Sequence, residues 1–183
     1  VATEVELSTR RRILDATYVV LSRTGRRNLL LADVAAEAKV SRPTLYRHFG
    51  SREGLLEAFS QYEQDNFDAG MARAIAGLHG EDRLDAALQF VVNFQNTHSA
   101  RHIVDLEPEH ILVQMRLTLP VIEKRIRQVL TGDNADTAAS AIVHIAICHY
   151  LIQGGTPEQF LAELRLAAGL DPRRRRAPKS AAS

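Results

Sequence analysis

Residues 31–50, LADVAAEAKVSRPTLYRHFG, constrain this chain more than any other stretch. They read as two short helices joined by a tight turn. Val34, Ala35 and Ala38 give the first helix a small apolar face at helical spacing. The turn falls at Lys39 and Val40. Ser41 is placed to cap the second helix by accepting an N–H of its first turn. Pro43 sits in that first turn, where a missing N–H costs nothing. Leu45 and Phe49, four residues apart, can face a core, which leaves Arg42, Thr44, Tyr46, Arg47 and His48 to project elsewhere. A helix-turn-helix uses such a second helix to enter the major groove of DNA.

The run SRPTLYRHF, followed by Gly50, Ser51, Arg52, Glu53, Gly54, Leu55 and Leu56, resembles the recognition helix and next-helix start of the tetracycline-repressor (TetR) family. The similarity extends from about Thr9 to Phe59. It implies that Thr44, Tyr46, His48 and Arg52 meet the DNA backbone and that Arg42 faces bases, with Tyr46 the main phosphate anchor. Arg47, Ser41 and Lys39 complete the expected DNA-binding set. Three positions depart from the family pattern: Leu30 stands where relatives place a capping Thr, Ala32 where a basic residue is frequent, and Lys39 where Gly is common in the turn. A side chain at a left-handed turn position costs roughly 1 kcal/mol.

Charge is distributed unevenly. Residues 1–60 hold 10 Lys/Arg against 7 Asp/Glu, residues 61–170 hold 8 against 14, and residues 171–183 hold 5 against 1. A basic head on an acidic body suits a chain whose first segment alone meets phosphate. Arg10, Arg11 and Arg12 have two readings, a solvated basic helix start or phosphate contact beside the recognition helix; their place in a DNA-binding head favours the second.

The remaining pattern is helical throughout, without an alternating strand, so the expected fold is all-α. Residues 1–7 are expected to fray. A first helix should run from Ser8 or Thr9 to Thr24 with Ile13, Leu14, Ala16, Thr17, Val20 and Leu21 inward. The expected organisation is a three-helix DNA-binding head at 1–50, a linking helix at about 52–76, a helical regulatory and dimerisation body at 77–170, and a disordered basic tail at 171–183. A break around 99–108 should precede a helix near 109–117, and Pro120 should open another. Residues 135–153 are apolar on nearly every side, and such a helix must be buried all round: by its own core on one side and by a second subunit on the other. A homodimer through this helix and the 157–169 helix is therefore expected. The Arg173–Arg176 run is read as a solvated tail, with nonspecific DNA contact as the other reading.

Several classes are set aside. No apolar run approaches the roughly 18 residues of a membrane span, and the N-terminus lacks a signal-peptide pattern. The single cysteine, Cys148, cannot form an intrachain disulfide and fits a reducing compartment, so a cytoplasmic location is expected. There is no Gly-rich phosphate loop, Gly-x-Ser-x-Gly elbow or His-Glu-x-x-His, and the paired acids Glu107/Glu109 and Glu81/Asp82 lie in or near breaks; no enzyme is expected. His98 and His102, and His144 and His149, do not make a zinc pattern, and neither metal nor cofactor is expected.

The family resemblance implies a body in which a small organic effector shifts the pose of two heads. Phe90, Phe94, Gln95, His98, Gln114, Met115 and Tyr150 are the candidate lining residues, with ordinary core packing as the competing reading. The functional expectation is a ligand-responsive transcriptional regulator, in this family usually a repressor, bound as a dimer to a pseudo-palindromic double-stranded operator. The alternative is a helical small-molecule-binding or protein-interaction module with weak or nonspecific DNA binding, which a steep salt dependence of duplex binding would exclude.

Overall fold

The computed structural model describes residues 4–97, 108–130, 134–152 and 155–170, with the side chains of His110 and Gln114 outside the description. Among the described residues the chain forms eight helices: α1 (Glu4–Thr24), α2 (Leu31–Glu37), α3 (Arg42–Phe49), α4 (Arg52–Ile75), α5 (Gly80–Thr97), α6 (Pro108–Arg127), α7 (Ala135–Ile152) and α8 (Pro157–Ala167). They fall into two compact units, one reaching to Ala69 with the start of α6, the other beginning at Gly70.

The head unit is built on the face that helical periodicity marks in α1. Ile13, Leu14, Ala16, Thr17, Val20 and Leu21 are all buried, and the Thr17 hydroxyl donates to Ile13 O at 2.8 Å. Around them close Leu29, Val34, Ala35 and Ala38, then Leu45 and Phe49, then Leu55 and Leu56. α1 begins at Glu4 rather than at Ser8 or Thr9. Glu4 and Glu6 in its first turn complement the positive helix end, which lets the helix extend past the apolar face.

The body unit packs α8 against both α5 and α7. Its core contains Leu88 and Val92 of α5, Ala135, Ala139 and Ile142 of α7, and Phe160 and Leu164 of α8, with Leu130 and Leu170. Thr156 caps α8 by accepting from Gln159 N at 3.2 Å, and Pro157 occupies the first turn, as expected for the last helix. An ion pair crosses this core: Arg165 Nε donates to Asp85 Oδ1 at 2.6 Å and Nη2 to Oδ2 at 3.0 Å. The hydrogen bonds to Asp85 raise Arg165 above the ordinary arginine value. Gln89 adds a third bond to the same carboxylate at 2.8 Å.

Two expectations are corrected. Pro120 does not open a helix but lies inside α6, which runs from Pro108 to Arg127. Its ring removes one backbone bond, at a cost of about 3 kcal/mol, yet the flanking turns retain theirs and the helix continues. Within the chain α7 is covered on one side, as expected for its own core. Only Ala135, Ala139, Ile142 and Val143 are buried, while Ile152 on α7 and Leu166 on α8 are 73% and 79% exposed. The second correction is that α7 does meet the length and composition of a membrane span, with 18 residues at a mean hydropathy of 1.4. Runs of alanine and isoleucine produce that value despite Asp136, His144 and His149 within the helix.

Candidate nucleic-acid interface

The geometry of the head begins with the turn between α2 and α3. Ala38 ends α2, Lys39 takes φ 54°, Lys39 N bonds Ala36 O at 3.1 Å and Val40 N bonds Ala35 O at 3.0 Å. This paired pattern is a Schellman ending, in which the left-handed position usually carries glycine. α8 ends the same way with Gly169 at that position: Gly169 N bonds Leu166 O and Leu170 N bonds Arg165 O. Lys39 is the one described non-glycine residue with positive φ, and its side chain is exposed.

Ser41 then caps α3. Its backbone is extended, and Oγ accepts from Thr44 N at 3.2 Å and shares a 2.8 Å hydrogen bond with Thr44 Oγ1. The hydroxyls of Ser41 and Thr44 are thus engaged with each other. Leu45 and Phe49 anchor the inner face of α3 in the head core, while Arg42, Tyr46 and Arg47 are exposed, Tyr46 by half its surface. Arg42 and Tyr46 are four residues apart and share one face. His48 is half-buried, with Nε2 shielded from solvent and without a hydrogen-bond partner.

The arginines expected to reach phosphate also contact the protein, with Arg11 and Arg12 exposed and Arg10 and Arg52 half-buried. Arg10 places its guanidinium 4.8 Å from the Phe49 ring centroid, at the end of α3. Arg11 is raised above its ordinary value, chiefly by its hydrogen bond to Tyr62, which in turn donates to Asp15 at 2.7 Å. Arg12 Nε donates to Ala38 O at 2.9 Å. Arg52 turns its guanidinium onto the α1–α2 connection, bonding Leu29 O at 3.1 Å and Arg26 O.

Sequence reasoning missed Gly54. A Cβ at this position would clash with the backbone oxygen of Phe49, so the start of α4 abuts the end of α3 only because no side chain intervenes. A lone glycine inside an otherwise helical pattern was the available signal.

In the body, Phe90 and Phe94 form a tilted ring pair with centroids 5.7 Å apart, and Gln95 Nε2 donates to Ala146 O of α7 at 3.4 Å. Gly70 lets α4 approach Phe90 so closely that a Cβ there would lie 2.6 Å from the ring. Phe90 and Gln95 are therefore engaged with neighbouring helices. Met115 and Tyr150 are half-buried, whereas His98 and the Gln114 side chain lie outside the described residues. His102 and the Arg173–Arg176 run lie outside them as well. His144 pairs with Ser140 O at 2.7 Å. His149 pairs with Glu163 at 2.8 Å, and that hydrogen bond holds the Glu163 carboxyl below its ordinary value.

This architecture has relatives. Residues 13–59 match the family model of bacterial regulatory proteins of the tetR family. The chain is 38% identical over 87 residues to the HTH-type transcriptional repressor LfrR of Mycolicibacterium smegmatis, covering 48% of this chain and 43% of that protein. It is 36% identical over 58 residues to the HTH-type transcriptional regulator YvkB of Bacillus subtilis, covering 32% and 31%. The chain thus spans less than half the length of these curated relatives. A crystal structure of a TetR-like transcriptional regulator from a Rhodococcus species superposes with a TM-score of 0.70 at 21% identity, covering 92% of this chain and 96% of the other. A second Rhodococcus structure, a TetR-family regulator, gives 0.66 at 22%, covering 89% and 98%. Residues 13–59, which hold the helix-turn-helix, are thus similar to bacterial regulatory proteins of the tetR family, and 92% of the chain shares the fold of the first Rhodococcus structure.

Proposed function

We propose that the protein is a sequence-specific DNA-binding transcriptional regulator. The observation that carries this reading is the exposed Arg42–Tyr46–Arg47 surface of α3, on a helix whose cap and two core anchors fix its orientation. An arginine can read guanine bidentately, and a tyrosine hydroxyl can bond a phosphate. The chain's likeness to a repressor, LfrR, supports repression as the direction of control. A bacterial operator lies in the cytoplasm, and the reading places the protein there.

Arg42 is the specificity residue and Tyr46 the backbone anchor. Arg42→Ala should cost about 1–3 kcal/mol on the selected operator and little on scrambled duplex. Tyr46→Phe should weaken both by about 1 kcal/mol. Gel shifts with both variants on both DNAs test this. Equal losses throughout would sink the division of labour.

The protein acts as a homodimer through α7 and α8, because the uncovered apolar surface includes Ile152 and Leu166. Two heads related by a two-fold read half-sites about one helical turn apart, ~34–36 Å, or a multiple of it. Sedimentation at micromolar concentration should give a dimer; a monomer would overturn this assembly. A small organic effector, taken up in the body, favours a head spacing that no longer fits the groove, by its differential affinity for two states.

A further inference from the structure

The segment leading into α2 is held by a side chain from α4. Arg52 Nε donates to Leu29 O at 3.1 Å, Nη2 donates to Arg26 O and lies 3.4 Å from Arg27 O, and Nη1 stands 3.7 Å from the Glu53 carboxylate. All three guanidinium nitrogens face groups of the protein itself. A planar fork of fixed donors is suited to gathering several carbonyl oxygens, which a single ammonium group is not.

α2 has reason to need this grip. Its seven residues are too few to hold a helix alone. The N-cap position is Leu30, with extended backbone at φ −103° and ψ 131°, and no side chain there accepts from the first-turn N–H groups. At the other end, Arg12 of α1 donates to Ala38 O, the last carbonyl before the strained Lys39. The helix is thus bracketed by arginines from its neighbours, and Arg52 supplies the lead-in that Leu30 does not.

We propose that Arg52 is a positioning residue rather than a phosphate ligand: it fixes residues 26–29 and so sets α2, and with it α3, for DNA. The inference rests on the DNA-binding reading above, but its structural half is testable without DNA. In the full free chain, Arg52→Gln and Arg52→Lys should both speed hydrogen exchange at the amides of 29–34 about tenfold, leaving the buried α1 amides from Ile13 to Leu21 unchanged. Binding of Arg52→Gln to random-sequence duplex should weaken about tenfold, as when the competent pose falls to about a tenth of the population. The slope of log affinity against log salt should match wild type, whereas loss of a phosphate contact would flatten it by about 0.9.

Adding Leu30→Thr, which supplies the missing cap on a backbone already extended, should restore most of the lost affinity to Arg52→Gln. Unchanged exchange at 29–34, or a flattened slope, overturns the proposal. A wild-type chain that does not bind duplex DNA refutes the DNA reading instead, and the exchange result still decides whether Arg52 holds the segment.

Discussion

Arg165→Ala should destabilise the body unit by about 3 kcal/mol, the lower end of the range for stranding one member of a buried ion pair. The Asp85 side chain is 5% exposed and the Arg165 side chain 30%. Removing the arginine leaves a carboxylate with little access to water, stripped of its two guanidinium bonds while the Gln89 amide still donates to it. The outer edge of Arg165 is already solvated, which is why the upper end of the range is not expected. Urea unfolding of wild type and variant measures the difference. Replacing both residues together, Asp85→Leu with Arg165→Met, should recover most of the loss, because apolar side chains carry no desolvation cost. A loss below about 1 kcal/mol for Arg165→Ala would mean that the pair is a solvated surface contact.

The second large effect is expected at Leu45, which is 1% exposed in the head core. Leu45→Ala should cost about 2–5 kcal/mol, combining the lost transfer energy with the cavity left behind. Leu45 is also one of the two side chains that anchor α3, so affinity for every DNA should fall, operator and scrambled duplex alike. Leu30→Ala is the contrasting control: Leu30 is 60% exposed, and its truncation should stay within about 0.5 kcal/mol. Denaturant unfolding and duplex binding on the two variants give the comparison. A Leu45→Ala protein as stable as Leu30→Ala would show that α3 is not held as described.

The head was legible because its signals are local. Helical periodicity picked out the buried face of α1 residue by residue, and Ser41, Pro43, Leu45 and Phe49 marked the cap, first turn and core face of α3. The Gly common among relatives at the turn allowed for a left-handed backbone at Lys39, and φ there is 54°. The body was harder to read. Its helices were recognisable, but Pro120 suggested a boundary that backbone bonding on either side overrides, and the apolar run in α7 could not disclose which face the chain itself covers. The ion pair of Asp85 with Arg165 joins residues 80 positions apart, which no local pattern anticipates.

The sequence alone therefore determined a helical protein with a helix-turn-helix, since capping residues and apolar spacing act within a few positions of one another. Tertiary structure alone decided which groups of the protein the arginines touch. Arg10, Arg12 and Arg52 look like phosphate ligands in a basic head, because composition reveals charge but not direction. Folding brings Arg10 to the Phe49 ring, Arg12 to the end of α2 and Arg52 to the carbonyls before it, contacts across 23 to 39 positions that depend on how the four helices of the head cross. A guanidinium bonds whichever acceptors the packing supplies, and here the packing supplies the backbone of the helix-turn-helix itself.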